Sequence, residues 1–354
     1  MRMRSAACAA AALTMTAAPV FAQEALPVHV GGRAAATADG GLAFGWPAVY
    51  FEGRFSGSEV RVRFDAPTEH MRLLIDGIER AVFTGAPDVD LTLSDLGSGE
   101  HQVRLEKMTE SQTGAGIFLG FSVPAGGAAL PAAARARQIE FIGDSYSAGY
   151  GNTSADRACT PQQIHDLTDT QRAFGPLTAR ALDADYRVNA YSGFGIVRNY
   201  DGGVRDLSLP LIYDRVGPDD PAGVSVTDTE WSPEIVVINL GTNDFSTPVN
   251  AGEPWPDDAA LRAAYRTTYV DFIQHIRSRQ PQARFVLMGS DAFIGDVRAV
   301  AAHINADDPQ RAVAVHFSGL ELTGCDWHPS LRDNQLLSEL VLDAVRQIGV
   351  WPEL

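Results

Sequence analysis

Ser145, Gly193, Asn243 and the pair Asp326 and His328 are the residues of this chain whose types and places could do acyl-transfer chemistry. Ser145 follows Gly143-Asp144 directly after the apolar run Ile139-Glu140-Phe141-Ile142. A Ser at the C-terminal end of a parallel strand lies where α/β sheets gather their ligands. If the chain turns into a helix there, the backbone N–H groups beside it point at incoming negative charge. That geometry suits a nucleophile whose substrate develops an oxyanion. Asp and Ser are also favoured helix caps, so a strand–turn–helix junction is the plainer reading of this tripeptide alone.

Three further stretches decide between the two. In Asn189-Ala190-Tyr191-Ser192-Gly193-Phe194-Gly195 the glycines let backbone approach a ligand, and Gly193 N–H is a candidate oxyanion donor; a flexible turn is the alternative. In Asn239-Leu240-Gly241-Thr242-Asn243-Asp244 the Asn243 amide is a second candidate donor, with an Asx turn as its alternative. In Gly324-Cys325-Asp326-Trp327-His328-Pro329, His328 has the character of a general base and Asp326 of the acid that orients it; a surface His before a Pro is the alternative. His29, His70 and His101 fall in a β-rich region, His275 and His303 in helical segments and His316 in a strand, which leaves His165 as the one rival base. No histidine pair has metal-ligand spacing, so neither a metal nor a cofactor is expected.

The elements that must position these residues change character along the chain. From Gln23 to Gly127 short segments such as Ala48–Phe55, Glu59–Phe64, Met71–Ile75, Asp90–Leu93, His101–Glu106 and Ala115–Phe121 read as strands. Several alternate apolar with polar between turn signals such as Asp76-Gly77, which predicts an all-β sandwich or jelly-roll domain over 23–127. Residues 128–137, within an Ala-, Gly- and Pro-rich stretch, read as a linker. From 138 to 354 strands alternate with helices, predicting a three-layer α/β/α domain on a parallel sheet. Its strands are expected at Gln138–Gly143, Tyr186–Tyr191, Glu234–Leu240, Arg284–Gly289 and Ala312–Phe317. Leu261, Tyr265, Tyr269, Phe272 and Ile276 recur at helical spacing and mark an apolar helix face. The aperiodic stretch Tyr200–Pro233 reads as an insertion over one edge of the site.

Residues 1–22 have a basic start, an apolar run from Ala6 to Ala18 and the small-residue site Val20-Phe21-Ala22, the pattern of a secretory signal peptide. A secreted or periplasmic protein is expected. Cys159 and Cys325 remain after its removal, and in an oxidising compartment they either pair or stay as two buried thiols; pairing is the expectation. With 44 acidic against 28 basic residues the formal charge is −16, which makes nucleic acid and anionic membranes poor partners. A neutral substrate fits this surface better. Lys107 is the only lysine.

Four signals in a fixed order, each after a predicted strand, resemble the SGNH (GDSL) hydrolases. Gly143-Asp144-Ser145 looks like their first block, Gly193 their second, Gly241-Thr242-Asn243-Asp244 their third and Asp326 to His328 their last. Within that group, Ser192-Gly193-Phe194-Gly195-Ile196-Val197-Arg198-Asn199 and Asp326-Trp327-His328-Pro329, with a β-sandwich in front, are similar to carbohydrate esterase family 2. One departure is the acid: the wider group usually has Asp three residues before the His, where this chain has Cys325. The resemblance implies an acetyl esterase on hemicellulose polysaccharides or oligosaccharides. Ser145 is then the nucleophile, and Ser145 N–H, Gly193 N–H and the Asn243 amide form the oxyanion hole. His328 is the base, held by Asp326 or by a backbone carbonyl. Trp327 is the sugar platform or packs under the His loop, and Trp231, Trp255 and Phe245 are further cleft candidates. The rival readings are a lipase, thioesterase or arylesterase on the same fold, and a carbohydrate-binding protein without catalysis.

Overall fold

The computed structural model describes residues 23–353 except 113 and 220–224, so the expected signal peptide lies outside the described residues. The first region is built from β1 (Glu24–Ala25), β2 (Val28–Gly31), β3 (Ala35–Ala36), β4 (Leu42–Phe44) and β5 (Tyr50–Ser56). It continues through β6 (Val60–Ile75), β7 (Ile78–Leu93), β8 (Glu100–Lys107), β9 (Gly116–Val123) and β10 (Ala128–Leu130). Their ladders are all antiparallel and join in the order β10-β5-β8-β6-β9-β4-β3, with β1 on β9, β2 on β5 and β7 on β6. Along β6, Val60, Val62 and Phe64 are buried while Arg61 and Arg63 face outward, the two-residue period of a sheet with one covered face. Asp76 and Gly77 both have positive φ, 53° and 75°, as a two-residue type I′ hairpin between β6 and β7 requires.

Two segments expected as separate strands, Glu59–Phe64 and Met71–Ile75, are one strand, β6. Its pairing with β7 shifts register around Pro67, which has no N–H to give a ladder. The first half of β6 pairs with β9 and the second half with β8, so the strand passes from one layer to the other. The sheet therefore curls on itself, and Phe51 of β5 stacks on Phe118 of β9 with ring centroids 4.1 Å apart. β10 lies within the stretch expected to be linker and adds an edge to β5.

The second region has a five-stranded parallel sheet of β11 (Arg137–Gly143), β12 (Ala184–Ala190), β13 (Ile235–Asn239), β14 (Arg284–Gly289) and β15 (Ala312–His316). The order is β12-β11-β13-β14-β15. Between and after the strands run α1 (Ser145–Ala148), α2 (Pro161–Asp166), α3 (Phe174–Ala181), α4 (Leu209–Ile212), α5 (Thr242–Phe245), α6 (Asp258–Arg279), α7 (Ile294–Asp307) and α8 (Leu331–Ile348). α3 packs with α8 and α6 with α7, giving the helix–sheet–helix layers the alternation predicts. The predicted face of α6 is the buried one: Leu261, Tyr265, Tyr269, Phe272 and Ile276 are all inside.

The two regions share polar contacts. Tyr50 OH donates to Asp185 at 2.8 Å, and Gln171 Nε2 donates to the carbonyls of Ala48 and Lys107. Lys107 is fully buried, its Nζ on Gly45 O at 2.7 Å and on the Glu69 carboxylate at 3.0 Å. A buried ammonium needs such partners, and removal of either would leave an uncompensated charge.

Candidate active site

Sheet register sets the first three groups side by side. Gly143 pairs with Ala190 on one side and with Asn239 on the other, so the strands end level. Ser145, Gly193 and Asn243 follow these ends by two, three and four residues. Asp144 caps α1 by accepting Tyr146 N–H at 3.0 Å, which starts the helix at Ser145. Gly143 is required by packing, because a Cβ there would stand 2.0 Å from Ser147 Oγ.

Ser145 Oγ lies 2.8 Å from His328 Nε2. The other ring nitrogen, Nδ1, lies 2.9 Å from Cys325 O and 3.1 Å from Asp326 O. Nδ1–H donation to these carbonyls leaves Nε2 with a free lone pair to accept the Ser145 proton. Burial holds the His328 pKa below its ordinary value, against the opposing pull of the two carbonyls and the Asp326 carboxylate. Burial thus favours the neutral imidazole. Tyr150 flanks the ring, centroids 4.2 Å apart.

Of the two supports expected for His328, a carboxylate or a backbone carbonyl, the structure places carbonyls at Nδ1. It is the Asp326 backbone that reaches His328, while its carboxylate accepts from Tyr150 OH at 3.2 Å. The cause is the loop: Asp326 and Trp327 are both left-handed, with φ of 49° and 63°, which turns the carbonyls toward the ring and the carboxylate aside. Left-handed backbone is costly for such residues and persists only where the surroundings enforce it. Here the Cys159–Cys325 disulfide, with Cα atoms 5.5 Å apart, anchors the turn, as do Asp326 N–H on Arg157 O (2.7 Å) and Arg157 Nε on Leu322 O (2.7 Å). His165, the rival base, packs its ring against His70 in a neighbouring groove, away from Ser145.

Gly193 has φ of 85° and open space where a Cβ would stand, and no hydrogen bond among the described residues engages its N–H. Its loop is fixed by the buried Asp244, whose carboxylate accepts N–H from Ile196, Val197 and Arg198 at 2.9–3.0 Å. Burial pushes the Asp244 carboxyl up to about 6 despite these bonds. The Asn243 amide donates to Phe194 O at 2.8 Å and to Asp144 Oδ2 at 3.3 Å. Burial likewise raises Asp144, to about 7, so the longer of the two bonds joins a carboxyl that is only partly ionised at neutral pH.

Ser145, Gly193, Asn243, Asp326, Trp327 and His328 line one cleft of 510 Å³. Trp327 is 63% exposed, so it does not pack under the His loop; the Arg157 guanidinium lies 3.8 Å over its ring. Trp231 is buried against Arg187 and Glu140, and Phe245 packs on Tyr265; neither lines the cleft. Tyr150, Tyr200 and Gln112 do line it, though their sequence surroundings give no chemical signal. Through Gln112, Tyr150 and Ser192 the cleft adjoins the larger groove of 860 Å³ between the two regions.

A family model described as carbohydrate esterase 2 N-terminal matches residues 30–132, and one described as GDSL-like lipase/acylhydrolase family matches residues 141–335. The chain is 42% identical over 337 residues to an acetylxylan esterase/glucomannan deacetylase of Cellvibrio japonicus, covering 92% of each protein. It is 30% identical over 323 residues to the cellulase/esterase CelE of Acetivibrio thermocellus, 86% of this chain and 38% of that one. Among solved structures, a carbohydrate esterase described for divergent catalytic and non-catalytic binding functions of its active site superposes with a TM-score of 0.85. The identity is 41%, over 92% of this chain and 98% of that one. A family two carbohydrate esterase of Clostridium thermocellum in complex with cellohexaose gives 0.77 and 28%, over 91% and 98%. Fold and site thus define a GDSL-like hydrolase. Within that class the chain belongs to carbohydrate esterase family 2 and is a carbohydrate esterase.

Proposed function

We propose that this chain is an exported acetyl esterase that deacetylates hemicellulose polysaccharides or their oligosaccharides. The observation that carries the mechanism is the 2.8 Å contact between Ser145 Oγ and the half-buried His328, whose surroundings favour its neutral form. Ser145 Oγ bonds to the acetyl carbonyl carbon as its proton passes to Nε2, and the imidazolium returns that proton to the leaving sugar oxygen. Water, deprotonated by His328, then releases acetate and restores Ser145. The oxyanion receives Ser145 N–H, Gly193 N–H and the Asn243 amide, which exchanges its longer bond to Asp144 for the developing charge. The carbonyls of Cys325 and Asp326 stabilise the imidazolium in place of a carboxylate.

The substrate class is supported by the named activities of the two curated relatives, by an uncharged polymer's fit to an acidic protein, and by the exposed Trp327 at the cleft. A disulfide beside the active histidine and the secretory pattern of residues 1–22 support export to an oxidising compartment. The test is acetate release from acetylated xylan, acetylated glucomannan and a small aryl acetate, comparing wild type with Ser145→Ala. All release is expected to vanish in a variant that keeps its thermal transition. Retained turnover would refute the scheme, and wild-type rates that rise with acyl length would replace it with the lipase reading.

A further inference from the structure

Every polar group of Ser192 is bonded to the β region rather than to its own domain. Its N–H donates to Glu110 Oε1 at 2.6 Å, its hydroxyl bonds to Glu110 Oε2, and its carbonyl accepts from Gln112 Nε2 at 2.9 Å. Glu110 and Gln112 lie in the connection between β8 and β9. The Ser192 carbonyl and the Gly193 N–H belong to one peptide unit, which is planar and trans, so the two point in opposite directions. Whatever fixes the carbonyl therefore aims the N–H. Gly193 has no side chain to resist a flip of this peptide and sits at φ of 85°, so the preference has to come from outside. A hydrogen bond to the carbonyl also polarises the peptide and strengthens its N–H as a donor.

From these contacts we infer that Gln112, with Glu110 behind it, is a positioning residue: the β region orients the Gly193 N–H toward the oxyanion. This rests on the esterase reading above and gives the N-terminal region a part in the chemistry besides any contact with sugar. Gln112→Leu removes the grip on the Ser192 carbonyl while keeping similar bulk. Glu110→Gln keeps one acceptor and one donor for Ser192, whereas Glu110→Ala keeps neither.

The experiment measures kcat and KM for a small aryl acetate, the affinity of a small alkyl boronic acid, and the melting temperature. Boron forms a tetrahedral adduct on a serine oxygen and so reports the oxyanion donors. Gln112→Leu is expected to lower kcat on the order of tenfold, less than loss of a whole donor. KM should stay within about twofold, and boronate affinity should fall with kcat. Glu110→Ala should follow it and Glu110→Gln should recover most of the rate. Unchanged kcat and boronate affinity in Gln112→Leu would overturn the inference. So would a loss confined to KM, or one that tracks a fall in melting temperature across all three variants. If wild type neither hydrolyses the ester nor binds the boronate, the esterase reading itself falls and this one with it.

Discussion

The strand-end loops and the His328 loop bring the reacting groups together by different means. Ser145, Gly193 and Asn243 are placed by sheet register: once Gly143, Ala190 and Asn239 stand level, a few residues of turn deliver each group. His328 sits on an irregular turn with two left-handed residues, and no ladder determines it. A disulfide, the Arg157 bonds and the capping box of Ser330 with Asp333 hold it from outside. The difference teaches that Ser145 and Asn243 stand where the level strand ends leave them, whereas the His328 turn, like the Gly193 peptide held through Ser192, depends on ties to distant parts of the chain.

That contrast can be broken in four ways. Asn243→Ala removes a group placed by the sheet, and kcat should fall by a factor on the order of 10²–10³ with the thermal transition little changed. Steady-state kinetics with calorimetry checks this, and a large loss of stability would mean that Asn243 holds the loop instead. Replacing Cys159 and Cys325 by Ser removes the tie on the other side. Loss of a native disulfide costs about 2–5 kcal/mol, so the melting temperature should drop, with kcat falling as the His328 turn loosens. Reductant should weaken the wild type in the same sense and leave the double variant unaffected.

Trp327→Ala should weaken kcat/KM on acetylated saccharides by about threefold to tenfold, consistent with roughly 0.5–1.5 kcal/mol for an aromatic contact, and spare a small aryl acetate. Equal losses on both substrates would make Trp327 a support of the turn. The smallest effect is expected from Asp326→Asn, since the side chain does not touch His328. A loss of under about tenfold fits orientation by carbonyls, whereas a triad acid replaced by its amide costs about 10⁴. With His328 held below its ordinary pKa, activity should be full near neutrality and be lost only as pH falls below the usual histidine value. A pH–rate profile in which Asp326→Asn moves the acid limb strongly would restore the carboxylate to the triad.

Much of this was legible in the residues. Strand and helix alternation after Gln138, the buried face of α6 and three of the loops follow from local pattern, because parallel strands and amphipathic helices are written in side-chain periodicity. The curl of the β sheet at Pro67 was not, since a bulge that continues a strand and a turn that ends it use the same residue. Nor was Trp231 placed correctly: its burial follows from Arg187 and Glu140, which are distant in sequence.

The sequence by itself picked out Ser145, Gly193 and Asn243 and their order, because each follows a strand within four residues, whereas His328, twelve residues past the last strand, was marked by its type and by the residues around it. Only the tertiary structure decided what orients His328, since a two-residue spacing from Asp326 fits a carboxylate or a carbonyl equally until the left-handed turn is seen. Likewise only the docking of the two regions brought Gln112 to the Ser192 carbonyl, across 80 residues of chain. Hydrogen bonds of that separation leave no period in the sequence, and the site depends on them as much as on its motifs.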